Sequence, residues 1–189
     1  MTRIAIFVSG SGTNCENIIR YFQHHDKGRV ELVVSNRDDA YALVRAANLN
    51  VPSVVVNKSQ LNDESYLMPI LRQYGIDFIV LAGFLLMAPS YLINIYKDRI
   101  INLHPALLPK FGGKGMYGHH VHEAVKAAAE TETGITIHYV SEICDGGKII
   151  AQFKTSLLPT DTIEDIEQKI HVLEQSHFPQ VIESVITNI

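Results

Sequence analysis

Ile4-Ala5-Ile6-Phe7-Val8, followed at once by Ser9-Gly10-Ser11-Gly12-Thr13-Asn14, is the stretch that decides the fold. Five consecutive apolar residues with no polar alternation read as a strand buried on both faces, and the glycines close it in a tight turn. From Asn14 the period changes, and Ile18, Ile19 and Phe22 fall on one helical face. A buried strand that passes through a glycine loop into an amphipathic helix is the opening unit of a parallel, helix-covered sheet.

The pattern repeats outward from there. Val30 to Val34 reads as a second strand, and Asp39 to Asn48 as a helix with Leu43, Ala46 and Ala47 inward. Ser53 to Val56 reads as a third strand, about Asn62 to Gln73 as a helix, and Phe78 to Leu81 as a fourth strand. Strands alternating with helices predict an α/β fold, a Rossmann-like, mostly parallel sheet with helices on both faces. Beyond a short strand at Ile100 to Leu103 comes a Pro- and Gly-rich stretch, then a helix around His122 to Ala129. Two β-like runs, Ile135 to Val140 and Lys148 to Thr155, are joined by Ser141 to Gly147, which predicts an antiparallel extension in the C-terminal half. A last helix is expected to start at a Thr160-Asp161 cap, with Ile163, Ile166, Ile170 and Leu173 at helical spacing.

The chain has 189 residues, 47% of them hydrophobic and 19% charged, without repeats or linker-like runs, so residues 1–189 are expected to form a single domain. A net charge of -4, from 16 basic and 20 acidic residues, implies no general attraction for nucleic acid or an anionic membrane. Apolar stretches such as Ile79 to Met87 fall short of the about 20 residues that a membrane span needs. Cys15 and Cys144 stand far apart, outside any CxxC spacing, as expected of a reduced, cytoplasmic protein. Met1-Thr2-Arg3 leads into the first strand with no cleavage-site pattern, so no signal peptide is expected.

In parallel sheets of this kind ligands bind beyond the carboxyl ends of the strands, so the loops there are where chemistry is sought. Ser9 to Asn14 offers backbone amides and a helix N-terminus, which suit a phosphate. The dinucleotide fingerprint fails, since its third glycine is Cys15 and no acidic residue follows the second strand at Ser35-Asn36-Arg37. A Gly-Lys-Ser/Thr signature is missing too. What remains is a mononucleotide-type phosphate loop or a plain tight turn capped by Thr13 or Asn14. Asn102 and His104 are two apart on a strand, so their side chains share a face. An amide N–H beside an imidazole can stabilise an oxyanion while the ring moves a proton, though a histidine at a strand end can equally be structural. Asp145-Gly146-Gly147 is a turn signal in its own right. If the fold brings Asp145 to His104, the carboxylate would raise the histidine pKa from about 6.5. His119-His120-Val121-His122 lacks the Cys, Asp or HExxH pattern that would complete a ligand set, so no metal is expected. Cys15 and Cys144 have no evident activating base and read as small fillers.

Four motifs in order, Gly10-Ser11-Gly12-Thr13-Asn14, Leu81-Ala82-Gly83-Phe84, Asn102-Leu103-His104-Pro105-Ala106-Leu107-Leu108-Pro109 and Asp145-Gly146-Gly147-Lys148-Ile149-Ile150, resemble the phosphoribosylglycinamide formyltransferases nearly end to end. The third string is shared by the wider folate-dependent formyltransferase group. The resemblance implies the formyltransferase fold, with a Rossmann-like phosphate-binding half at 1–100 and a catalytic and folate-binding half at 101–189. It implies transfer of formyl from 10-formyltetrahydrofolate, a co-substrate, to the amine of glycinamide ribonucleotide in purine biosynthesis, with no metal. On the matching positions, Asn102 would hold the oxyanion, His104 would be the general acid, and Asp145 would raise the His104 pKa. Gly12, Thr13 and Asn14 would hold the substrate phosphate, with His171, Val172, Leu173 and Glu174 contacting the ribonucleotide. Leu85, Leu86, Met87 and Ala88, with Asn102 and Ser141, Glu142, Ile143, Cys144 and Asp145, would receive the folate. Leu108-Pro109 would be a candidate cis peptide.

Two departures stand out: Gly112 to His120 is longer and richer in glycine than the common bacterial pattern, and Leu86 stands where many members carry a basic residue. The implied partners are small molecules, with neither nucleic acid nor membrane, in a monomer or homodimer. The alternatives are a formyltetrahydrofolate deformylase, disfavoured because that family usually carries an extra N-terminal domain, and a methionyl-tRNA formyltransferase, disfavoured by the missing C-terminal domain and the acidic charge. A third is a non-catalytic nucleotide-binding module, in which His104 is idle.

Overall fold

The computed structural model describes residues 1–188; Ile189, the last residue of the expected domain, lies outside them. Strands β1 (Thr2–Val8), β2 (Gly28–Ser35), β3 (Ser53–Val55), β4 (Phe78–Leu81), β5 (Ile100–His104), β6 (Glu132–Tyr139) and β7 (Ile149–Ser156) make one sheet in the order β3-β2-β1-β4-β5-β6-β7. β1 to β5 pair in parallel, and β6 and β7 pair antiparallel, as the sequence predicts. Strand order reverses beside β1, which leaves a crevice at the carboxyl ends of β1 and β4.

The apolar run of β1 is wholly buried because both faces of the sheet are covered. Ile4, Ile6 and Val8 join a cluster with α1 (Thr13–Phe22), through Ile18, Ile19 and Phe22, and with α7 (Ile163–Thr187), through Ile170, Phe178 and Ile182. Ala5 and Phe7 join a second cluster with Leu67 and Leu71 of α4 (Glu64–Gln73) and Leu92 of α5 (Ser90–Ile95). A smaller cluster sets Val125 of α6 (His119–Ala127) against Leu157 and Ile166.

Several local expectations need correction. The helix expected over Asp39 to Asn48 is α2 (Tyr41–Asn48), whose inward residues are Ala42 and Ala46, four apart. Leu43 is half-buried and Ala47 exposed, because only the Ala42 and Ala46 edge of this short helix packs on the core, with Ala42 hard against Gly12. The helix expected from about Asn62 to Gln73 is α4, which starts at Glu64 because Asp63 caps the Ser65 N–H at 2.9 Å; the short α3 (Lys58–Leu61) ahead of it had no counterpart among the expected elements. α6 starts at His119, ahead of the expected His122, and α5 had no counterpart in the sequence reading. The last helix is capped by Thr162, whose hydroxyl pairs reciprocally with Asp165. Asp161 is instead engaged by the Leu158 N–H and by Lys169.

Phe178 is fully buried where α7 crosses the first cluster. Phe178→Ala is expected to lower unfolding free energy by about 3–5 kcal/mol, read from the urea denaturation midpoint at unchanged slope.

Candidate active site

At the carboxyl ends of β1, β4 and β5 lies a cleft of about 1190 Å³, roomier than the roughly 300–1,000 Å³ typical of a single small-ligand pocket. Its walls come from both halves of the chain. The loop Ser9 to Asn14 lines it together with His171 and Glu174 of α7, and so do Leu85 to Ala88 and Ser141 to Asp145. Asn102, His104 and His138 line it as well, as do Gly113 to Gly118 and His122.

The glycine loop Ser9 to Asn14 is held from behind. Gly12 has φ +74°, the left-handed region, and sits so close to α2 that a Cβ would run into Ala42. Neither Thr13 nor Asn14 caps α1: Gly12 is the cap residue, with no side-chain bond. The first bond of the helix runs from the Glu16 N–H to the Gly12 carbonyl, so the amides of Thr13, Asn14 and Cys15 have no partner within the helix. The Asn14 side chain is already engaged, donating to Glu174 Oε2 at 3.0 Å and accepting from Gln175 at 3.2 Å, which leaves its backbone N–H for an anion. Arg45 donates to the Ser11 carbonyl at 2.8 Å and pairs with Glu16. Helical periodicity turns His171 and Glu174 to the cleft, whereas Val172 is exposed and Leu173 packs on the core, so these two do not line it.

Strand register assembles the reacting end. Asn102 pairs with His138 across β5 and β6, and His104 with Thr136. His138 donates from Nδ1 to the Tyr139 carbonyl at 2.9 Å, and its Nε2 lies 3.1 Å from the Asn102 amide nitrogen. Asp145 is brought to both histidines: Oδ2 lies 3.5 Å from His104 Nδ1 and Oδ1 lies 3.6 Å from His138 Nε2. The chain can turn back here because Gly147 passes against the Tyr139 carbonyl, where a Cβ has no room. Asp145 also accepts from the Gly113 N–H at 2.9 Å, which ties the glycine-rich loop to the site. Beneath His104, buried Thr136 accepts from the Leu108 N–H at 3.0 Å and donates to the Ala106 carbonyl at 2.7 Å. Leu108-Pro109 is cis, as the resemblance implies.

The electrostatics of His104 differ from expectation. Burial disfavours the imidazolium more than Asp145 and the Phe111 carbonyl favour it, so the His104 pKa falls below its ordinary value and does not rise. Both ring nitrogens nevertheless face acceptors, Nε2 the Phe111 carbonyl at 2.7 Å and Nδ1 the carboxylate. A neutral ring satisfies only Phe111, and a second proton completes the pair with Asp145. Burial would raise the Asp145 carboxyl, but His138, the Gly113 N–H and His104 outweigh it and hold it below the usual range. Burial pushes Glu174 up to about 7 against the Asn14 hydrogen bond. Cys15 is buried, its thiol pushed up to about 12, as suits a filler, and burial also raises Cys144.

His138, His122 and Ser9 were missed in the sequence reading. The period-2 pairing of Asn102 with an antiparallel partner could have found His138, given the register. His122 is buried with Nδ1 unpartnered, while His119 and His120 turn to Glu123. Among the described residues no group of three or more His, Cys, Asp or Glu is placed to hold a metal ion, and no helix is long and apolar enough to cross a membrane. Leu86 packs against the second core cluster.

Two outcomes follow from these shifts. In Asp145→Asn the His104 pKa is expected to fall further, followed by NMR titration of the imidazole, because the group that favours its charged form is lost. Glu174 in the folded protein binds its proton more tightly than when unfolded, so its burial costs stability as pH rises from about 4.5 through about 7. Glu174→Gln is therefore expected to be more stable than the wild type at pH 8, by about 1–3 kcal/mol, with the gap closing below about pH 5 in thermal or urea unfolding.

Comparison with known proteins places this geometry. The formyl transferase family model matches residues 2–182. The chain is 36% identical over 189 residues to the chloroplastic phosphoribosylglycinamide formyltransferase of Arabidopsis thaliana, covering 97% of this chain and 65% of that one. It spans 60% of the Vigna unguiculata counterpart, so it is shorter than both plant relatives. It is 36% identical over 191 residues to the phosphoribosylglycinamide formyltransferase of Bacillus subtilis, covering 98% and 95% of the two chains. The crystal structure of glycinamide ribonucleotide transformylase 1 from Geobacillus kaustophilus superposes with a TM-score of 0.89 at 36% identity, covering 98% and 99%. A Rossmann-like sheet with this cleft, matched over almost its whole length, identifies the chain as a member of the formyl transferase family.

Proposed function

We propose that the protein transfers a formyl group from 10-formyltetrahydrofolate to the amine of glycinamide ribonucleotide, giving formylglycinamide ribonucleotide and tetrahydrofolate. The observation that carries this reading is one cleft lined both by the glycine loop Ser9 to Asn14, with its unpartnered helix-start amides, and by Asn102, His104 and Asp145. A phosphorylated substrate suits the first, and an acyl-type centre suits the second. Relatives of that name at 36% identity support the same choice.

In this reading the amides of Gly12, Thr13 and Asn14 hold the phosphate, with His171 and Glu174 beside the ribose. The cleft carries Glu142, Glu164, Glu167, Glu174 and Asp145 against Arg37 and Lys114, so anion recognition falls to backbone dipoles rather than to a basic surface. The pterin lies against Leu85 to Ala88 and Ser141 to Cys144. The amine nitrogen attacks the formyl carbon, and the Asn102 amide donates to the developing oxyanion. The tetrahedral intermediate collapses with cleavage of the bond from carbon to folate N10. His104 delivers a proton to N10, and the attacking nitrogen gives its surplus proton to the neutral His104 that this leaves. With Nε2 on the Phe111 carbonyl and Nδ1 facing the Asp145 carboxylate, His104 has a partner for each of the two protons that a general acid carries.

The chain is read as a single unit in the reduced cytoplasm, with a phosphate-binding half at 1–100 and a catalytic half at 101–189. Leu85 to Ala88 and His171 to Glu174 then carry each substrate across the division. Its partners are the two small molecules, and no metal takes part.

The test follows folate deformylation with and without glycinamide ribonucleotide. Turnover that requires the ribonucleotide is expected; turnover without it would mark a deformylase, and ribonucleotide binding without turnover a binding module. In His104→Ala, turnover is expected to fall by about 10²–10⁴ while calorimetric affinity for the ribonucleotide persists, because the phosphate loop is held independently. Near-wild-type turnover would remove His104 from the mechanism.

A further inference from the structure

One hydroxyl joins the three loops that follow β2, β1 and β4. Ser9 is 3% exposed and directly precedes Gly10 to Asn14. Its Oγ accepts from the Leu85 N–H at 2.8 Å and donates to Asn36 Oδ1 at 2.5 Å. The direction is forced, since an amide N–H can only donate and the hydroxyl has a single proton to send on. Phe84 adds a second fastening, its ring edge-on to Phe7 with centroids 5.4 Å apart. Beyond these two points the side chains of Leu85 and Met87 stand half-exposed along the cleft.

We propose that Ser9 is a positioning residue that sets the folate loop against the phosphate loop. The inference rests on the reaction proposed above, in which the amine and the formyl carbon belong to substrates held by different loops of the cleft. Their alignment tolerates errors of only about 1 Å, so the spacing between the two loops is a catalytic quantity. The two loops depend on Ser9 unequally. The phosphate loop has its own fastenings, from Ala42 N–H to the Gly10 carbonyl, Arg45 to the Ser11 carbonyl and Asn14 to Glu174. The Leu85 N–H has Ser9. Loss of the hydroxyl therefore loosens the folate side alone, whereas a general loosening of the sheet end would weaken both substrates together.

The experiment compares wild type, Ser9→Ala and Asn36→Ala by calorimetry with 5-formyltetrahydrofolate, a stable folate probe, and with glycinamide ribonucleotide, alongside amide hydrogen exchange at Leu85. In Ser9→Ala, folate affinity is expected to fall about tenfold and ribonucleotide affinity to change less than about twofold, with faster exchange at Leu85. Asn36→Ala, which leaves Ser9 in place but removes its acceptor, is expected to shift folate affinity in the same direction by a smaller factor, and it serves if Ser9→Ala does not fold. Wild-type folate affinity in the variants, or an equal loss for both ligands, would overturn the role of Ser9 while leaving the reaction intact. A wild-type protein that binds neither ligand would overturn the reaction, and the role of Ser9 with it.

Discussion

The burial of β1 on both faces is the constraint on which the rest depends. Each face needs its own cover, α1 and α7 on one side and α4 and α5 on the other, so the strand becomes the centre of the molecule. A strand so enclosed cannot slip without moving its apolar residues to the wrong layer. Its carboxyl end is thereby a fixed point, and Ser9 to Asn14 leave it within reach of α2, α7 and the loop after β4. The cleft forms at the reversal of strand order beside this strand.

Around that point the site is built from groups that hold one another. Asp145 touches both His104 and His138 and accepts a backbone amide from the glycine-rich loop, so one carboxylate links three elements. The low-dielectric surroundings that lower the His104 pKa also strengthen each contact with Asp145. The same balance recurs at Glu174, where burial outweighs the hydrogen bond from Asn14. The two cleft carboxyls are thus driven apart: Asp145, with a backbone amide and two histidines around it, is held in its ionised form, and Glu174 is pushed toward its neutral one.

Much of this was legible in the residues. The unbroken apolar run of β1, the change of period at Asn14 and the alternation through Phe78 to Leu81 predicted the sheet and its parallel half. The Asn102/His104 spacing placed an amide and an imidazole on one face, since period 2 in a strand is local geometry. The short helix Lys58–Leu61 and the exposure of Ala47 were not legible, because a single capped turn, and the width of the face a short helix buries, are settled by what packs there.

The sequence by itself determined the shared face of Asn102 and His104, the glycines that let the loops turn and the order of the motifs, all of which depend on neighbours along the chain. Only the tertiary structure decided that His138 stands beside Asn102, that Asp145 reaches His104, and that His104 is held below its ordinary pKa. Those are matters of strand register and of how much water is excluded, and neither is a property of local sequence.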